Sequence, residues 1–304
     1  MSRRIENIRA GADELARWLV DTVHLGTAQR HGQTEQEWQK LAARMIDAQS
    51  RGLANRVLTL SRLFEQADWQ ENVLTYLGEL YLLCEAFRNY EDLSPALQNE
   101  LLNQAGVGHR KKDLLLQEGL VDDWLVLGRK LRQEDKMEVQ KTFLFSSVHQ
   151  QHALLLEFAV GRGSDFETRL EVGSSFSAEL VFYPSAFPMR AWYKEGAKPN
   201  PAFQLPNEYE SISEMLEAYA NALQQNPFVQ SFPALINQLT PYQDANSPGL
   251  KDPDNQSIPL PPSYNKLWHL LAISGGNPVP IFGEWNGKYF TPYGILDQQQ
   301  WTRL

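Results

Sequence analysis

Trp124-Leu125-Val126-Leu127-Gly128 marks the point where the chain changes its hydrophobic period. This is a four-residue apolar run closed by glycine, short for a helix and suited to a buried strand. Upstream, apolar residues recur every three or four positions. Ile5, Ile8, Ala12, Leu15 and Leu19 make one helical stripe. Thr34 and Glu37 form a capping-box pattern ahead of Trp38, Leu41, Met45 and Ile46, and Gly52 reads as the break that ends that run. Leu53, Val57, Leu60 and Phe64 give a third stripe. Asp68 stands where it would cap a fourth helix, which carries Val73, Leu77, Leu80, Cys84 and Phe87. Ser94-Pro95 supplies an N-cap and a first-turn proline for a fifth helix with Leu97, Leu101 and Leu102. A short helix is expected over residues 111–117.

Downstream, Val139, Lys141, Phe143 and Phe145 fall at alternate positions, as in a strand. Residues 153–158, 178–183 and 189–193 are further strand-like runs, with turns marked by Gly161, Gly163, Gly173, Pro184 and Pro188. Together they predict a meander of about five short antiparallel strands. Ile212, Met215, Leu216, Tyr219 and Leu223 predict a returning helix, and residues 232–239 a short one. Residues 240–262, rich in Pro, Asn, Asp and Ser, read as a long proline-bearing loop. Residues 267–273 and 279–285 read as strands, and Asn286-Gly287 as a hairpin turn. The fold class is therefore α+β: a helical domain over residues 1–118, then an antiparallel β-containing domain over 119–304.

Of 304 residues, 42% are hydrophobic and 21% charged, which supplies a core and excludes a mostly disordered chain. No apolar run approaches the ~18–20 residues of a membrane helix. Ile5-Glu6-Asn7 follows the basic Met1-Ser2-Arg3-Arg4 where a secretory signal would have an apolar stretch. Cys84 is the single cysteine, so no internal disulfide and no cysteine-based zinc site can form. A reducing, cytoplasmic location is expected. The net charge of -9 is spread evenly: residues 1–118 hold 14 basic and 17 acidic groups, the remainder 14 and 20. Neither part presents the basic surface that nucleic-acid phosphates require.

Chemical motifs are sparse. No phosphate-binding loop is present; Gly161-Arg162-Gly163 and Gly275-Gly276 read as turns. His149 and His152 form an H-x-x-H pair, but two ligands do not make a metal site, and they read as exposed loop histidines. Cys84 lies on an apolar stripe and reads as a small buried hydrophobe. The acidic pairs Glu91-Asp92, Asp122-Asp123 and Glu134-Asp135 flank predicted elements, where capping or solvated turns account for them. His109-Arg110-Lys111-Lys112 is a lone basic cluster with few aromatic neighbours. Eight tryptophans are spread along the chain; most read as core anchors, and Trp285 and Trp301 as the first to test for partner contact.

Four stretches carry a family resemblance. They are Ala12-Asp13-Glu14-Leu15-Ala16-Arg17-Trp18-Leu19, Arg44-Met45-Ile46-Asp47-Ala48-Gln49-Ser50-Arg51-Gly52-Leu53-Ala54, Asp123-Trp124-Leu125-Val126-Leu127-Gly128, and Glu179-Leu180-Val181-Phe182-Tyr183-Pro184-Ser185-Ala186-Phe187-Pro188-Met189-Arg190-Ala191. Over about residues 5–195 the chain resembles the region that follows the zinc finger in bacterial SWIM zinc-finger proteins. Genes of that family tend to sit with MoxR-type AAA+ ATPases and von Willebrand factor A (VWA) proteins. The finger itself needs a C-x-C…C-x-H ligand set that this chain lacks, so the resemblance carries over no zinc ligand and implies no finger-mediated DNA binding. It implies either a finger-less relative or a piece that starts after the finger.

The expectation is a non-enzymatic, cofactor-free interaction protein that partners a MoxR-like ATPase or a VWA protein. Its candidate partner-binding residues are Asp47, Arg51, Trp285 and Trp301; Asp47 and Arg51, at i and i+4, also suit a pair on one helix. Two alternatives stand beside it: a nucleic-acid-associated protein acting with a missing finger, and an enzyme assembled from distant residues such as His149, His152 and His269.

Overall fold

The computed structural model describes residues 2–134, 137–146, 148–160, 166–168, 170–195, 198–200, 206–244, 248–297 and 300–304. The expected turn at Gly161-Arg162-Gly163, Asp135 of one acidic pair, and Asn246-Ser247 of the expected loop lie outside these residues. The chain divides into two compact units: Met1–His109 with Pro184–Ala186, and Arg110–Tyr183 with Phe187–Leu304.

The first unit is helical. It contains α1 (Ser2–Leu25), α2 (Glu35–Asp47), α3 (Arg51–Phe64), α4 (Trp69–Arg88) and α5 (Pro95–Gln104). The capping box forms as spelled: the Thr34 side chain accepts from the Glu37 backbone N–H, and the Glu37 carboxylate accepts from the Thr34 N–H at 2.8 Å. That backbone bond and one from the Thr34 hydroxyl hold the Glu37 carboxyl below the usual range. The Ser50 and Ser94 side chains cap α3 and α5 by accepting from the Leu53 and Leu97 N–H groups, with no reciprocal bond, whereas the Asp68 side chain makes no cap bond. The apolar stripes are the core, with Ile8, Leu15, Met45, Leu53, Leu60, Leu80 and Phe87 fully enclosed. Trp38 packs edge-on against Trp18, at 5.5 Å between ring centroids, and also against Phe64.

Gly52 is not the break between α2 and α3. That break is Ala48-Gln49-Ser50, where Gln49 takes φ +61 and the chain leaves the helix before Ser50 caps the next one. Gly52 is already inside α3. Its N–H donates to the Ala105 carbonyl at 2.9 Å, and a Cβ there would lie 1.9 Å from the Gln104 carbonyl oxygen. Two helix ends thus meet backbone to backbone.

Cys84 is buried on α4, as the stripe predicts. Burial pushes its thiol up to about 12, so the thiolate is scarce near neutrality. Ellman's reagent near pH 8 is expected to modify Cys84 at least about a thousandfold more slowly in the native chain than in denaturant. Equal rates, read from thionitrobenzoate absorbance, would show the side chain to be accessible.

The second unit begins with a single helical turn, α6 (Lys111–Leu114), and contains two antiparallel sheets. The first is built from β1 (Leu120–Glu134), β2 (Met137–Ser146), β3 (Gln151–Val160), β4 (Ser175–Phe182), β5 (Ala191–Tyr193) and β6 (Lys198–Pro199). Its order is β3-β2-β1-β4-β5, with β6 on β4. The expected meander holds for β1 to β3 only; β4 returns to the other side of the long β1. The second sheet uses β7 (Phe232–Gln243), β8 (Pro248–Lys251), β9 (Ser257–Pro259), β10 (Val279–Trp285), β11 (Phe290–Asp297) and β12 (Gln300–Arg303), in the order β12-β11-β10-β7-β8-β9. Two helices accompany it, α7 (Ile212–Gln225) and α8 (Leu267–Ser274).

Three expectations are corrected here. Residues 232–239 form a strand, not a helix: β7 is covered on both faces, so its first five residues are all buried and show no alternation. The proline-bearing segment 240–262 is not one loop, because β8 and β9 put Leu250 and Ile258 into the core. Residues 267–273 are helical, ended by Gly275 in the left-handed conformation at φ +58. A short apolar run fits either element, and contacts with β7 and β11 decide it.

Leu125, Leu127, Phe143 and Phe145 of the first sheet meet Leu235, Phe282, Tyr293, Leu296 and Trp301 of the second. The opposite face of the first sheet gathers Trp124, Val126, Leu144, Leu155 and Leu180. The outer face of the second packs Ile236, Ile281 and Ile295 against Met215 of α7 and Leu270 of α8.

Candidate functional site

The expected reactive residues are placed first. His149 lies in the turn after β2, and its Nδ1 is 2.6 Å from Asp122 Oδ2. The Ser146 hydroxyl donates to the same Asp122 oxygen and accepts from the His149 backbone N–H. Burial alone would raise the Asp122 pKa, but the bonds from His149, Ser146 and the Asp123 N–H outweigh it and hold the carboxyl below the usual range. Aspartate, histidine and serine meet here, but the serine proton goes to the aspartate. A nucleophile would need to give it to the imidazole. The cluster anchors a turn.

His152 is not a loop residue. It sits within β3, nearly buried, with Nε2 2.7 Å from Glu208 Oε1 and its ring against Phe145 and Phe282. Glu208 Oε2 accepts from the Leu235 N–H at 2.8 Å. The two histidines therefore serve different carboxylates. His269 is exposed on α8. Among the described residues no group of three or more His, Cys, Asp or Glu is arranged to hold a metal ion.

Of the expected partner-contact residues, Trp285 and Trp301 are core side chains, 7% and 9% exposed. Trp301 Nε1 donates to the Leu127 carbonyl at 2.8 Å. Trp268, which no motif singled out, is the exposed tryptophan of α8, at 73%. Asp47 and Arg51 are both exposed, but they end one helix and begin the next, so the expected pairing along a single helix does not arise. Asp47 lines a shallow polar depression with Asn7, Glu14 and Arg44, where Glu14 and Arg44 form an ion pair.

An apolar groove lies elsewhere in the helical unit. Leu19, Val20, Val23 and His24 of α1 and Leu74, Leu77, Gly78 and Tyr81 of α4 line a groove of about 330 Å³. Leu74 is 61% and Val23 53% exposed, large values for aliphatic side chains on adjacent helices. Gly78 forms part of the floor, and nothing lies within 4 Å of the position its Cβ would take. The polar groups beside it are mainly acidic: Asp21 follows Val20, Glu79 follows Gly78, and Glu71 lies one helical turn before Leu74. The signal was present in the sequence as a second stripe. Val20, Val23, Leu74 and Tyr81 stand off the core positions, where a solvated face would be polar.

The family comparison agrees with this architecture. Residues 3–105, about a third of the chain, match the model of the SWIM-associated four-helix bundle domain. The resemblance read from the sequence is upheld over that span. No curated protein matches the chain, and no solved structure does.

Proposed function

We propose that the chain, whose residues 3–105 match the model of the SWIM-associated four-helix bundle domain, is a protein-interaction component that takes an amphipathic helix of a partner into the α1–α4 groove. The observation that carries this reading is the exposed apolar lining from two neighbouring helices. A helix with apolar anchors at i, i+3 or i+4, and i+7 fills such a groove without a deep cavity. Asp21, Glu71 and Glu79, with a chain net charge of -9, favour basic flanks on that helix. The MoxR-type ATPase or VWA protein suggested by the family resemblance is the partner we assign to it, in the cytoplasm. No helix of the described residues is long and apolar enough to cross a membrane.

The test is a titration of the full chain into a labelled Leu/Lys amphipathic peptide about 18 residues long, read by fluorescence anisotropy. We expect saturable binding, weaker binding of the matching Leu/Glu peptide, and at least about tenfold loss in Leu74→Glu with an unchanged urea midpoint. Unaltered binding in Leu74→Glu would overturn the reading. So would a wild-type dimer in sedimentation that Leu74→Glu dissociates, because the groove would then belong to a second copy.

A further inference from the structure

The first sheet of the β unit has an open edge. β3 stands at the end of the strand order, with β2 on one side. On its other side the Leu154 N–H donates to the Met189 carbonyl at 2.8 Å, and Leu154 bridges in parallel to Arg190. The chain then turns away into β5 and pairs with β4. Backbone groups of alternate residues face the same side of a strand, so those of Leu156 and Phe158 point outward as Leu154 does. Among the described residues no backbone group meets them there.

Natural edges are blunted by proline, by a bulge or by charge. The stretch Leu154-Leu155-Leu156-Glu157-Phe158-Ala159-Val160 contains no proline, and its register with β2 runs without a bulge. Its one charge, Glu157, is buried and committed, accepting from the Thr168 N–H and the Gln140 amide. Phe158 lies on the opposite face, the face that His152 turns to Phe282, and is 52% exposed. That face is basic beside the edge. Lys141 of β2 is the register partner of both Leu156 and Lys130 of β1. Lys141 Nζ is 2.9 Å from Glu284, and Lys130 Nζ reaches the same carboxylate only through the Tyr293 hydroxyl.

We propose that the β3 edge at Leu156 and Phe158 takes an extended strand of a partner protein, apolar where it faces Phe158 and acidic at its flanks. Outward N–H and C=O groups at strand spacing are matched by another strand, and residues 189–190 already meet Leu154 in this way. The Leu156 and Phe158 side chains select apolar neighbours. Lys141, about 10 Å from the added strand at two strand spacings, lies within screening distance of acidic ones. A second copy fits less well, because each chain carries a net charge of -9. The site is independent of the α1–α4 groove, and neither reading depends on the other.

The full chain is titrated into a labelled Val/Thr peptide of about eight residues with glutamate at both ends, read by fluorescence anisotropy. We expect saturable binding, and binding about tenfold weaker when lysine replaces the glutamates. Leu156→Pro removes an N–H that β2 does not use, and should weaken binding at least about tenfold. Phe158→Ser, at an exposed position, should do the same with an unchanged urea midpoint, which covers the case of a proline variant that fails to fold. Leu74→Glu, in the α1–α4 groove, should leave the affinity unchanged. No saturable binding, equal affinity for the two peptides, or unaltered binding in Phe158→Ser would overturn the site. So would a wild-type dimer in sedimentation that Phe158→Ser dissociates.

Discussion

Gly52→Val is expected to unfold the helical unit at moderate denaturant. The added Cβ would lie 1.9 Å from the Gln104 carbonyl oxygen and 2.7 Å from the Ala105 carbonyl carbon. Both are backbone atoms, so no rotamer change relieves the contact. α3 would have to withdraw from the end of α5 and lose the Gly52 N–H bond to Ala105. Overpacking in a close-packed interior costs about 1–3 kcal/mol, and a backbone clash belongs at the top of that range or above it. We expect a loss of about 3 kcal/mol from the urea midpoint followed by circular dichroism at the helical band. Gly78→Ala on α4 is the control: its Cβ meets nothing within 4 Å, and alanine is the better helix former. Equal midpoints for Gly52→Val and the unchanged protein would show that the two helix ends do not meet as described.

Glu284→Gln is expected to weaken the β unit by a similar amount. Glu284 is buried on β10. It accepts from Lys141 Nζ at 2.9 Å, from the Ser231 hydroxyl and from the Tyr293 hydroxyl at 2.6 Å. Lys130 joins through Tyr293. The carboxylate thus ties the second sheet to two lysines of the first. Burial raises its pKa, but the Lys141 charge and the three bonds outweigh that and hold it below the usual carboxylate range. Removing the charge leaves Lys141 facing a neutral amide, and breaking such a pair costs about 3–5 kcal/mol, here the low end because Lys141 is partly solvated.

The pH dependence has a definite sign. The folded pKa is depressed, so the contribution is complete above the unfolded value of about 4.3 and fades as pH falls through the folded value. The gap between Glu284→Gln and the unchanged protein should therefore be widest near neutrality and close in acid. A pH-independent gap would show that the charge is not what binds the sheets.

Local signals located the helical unit well. Thr34 with Glu37, and Ser94 with Pro95, act within three residues of themselves, and the caps form as spelled. The stripe containing Cys84 is buried for the same reason: a 3.6-residue period already says which side faces inward. The misreadings concern runs whose environment lies far along the chain. β7 looks helical because both of its faces are covered, and that cover comes from sequence-distant strands and helices. The groove was half legible, since Val20, Val23, Leu74 and Tyr81 break the polar face of their helices, but only the pairing of α1 with α4 puts them together.

By itself the sequence determined the order of a helical region and a β region, most helix ends, the buried thiol and the SWIM-related character of the first hundred residues. Those properties depend on period, capping and composition, which act over a few residues at a time. Tertiary structure alone decided that Trp285 and Trp301 are inside, with the Trp301 indole on the Leu127 carbonyl, and that His149 and His152 serve separate carboxylates. Those pairings span tens to more than a hundred positions, and they are fixed by strand register, which has no local spelling.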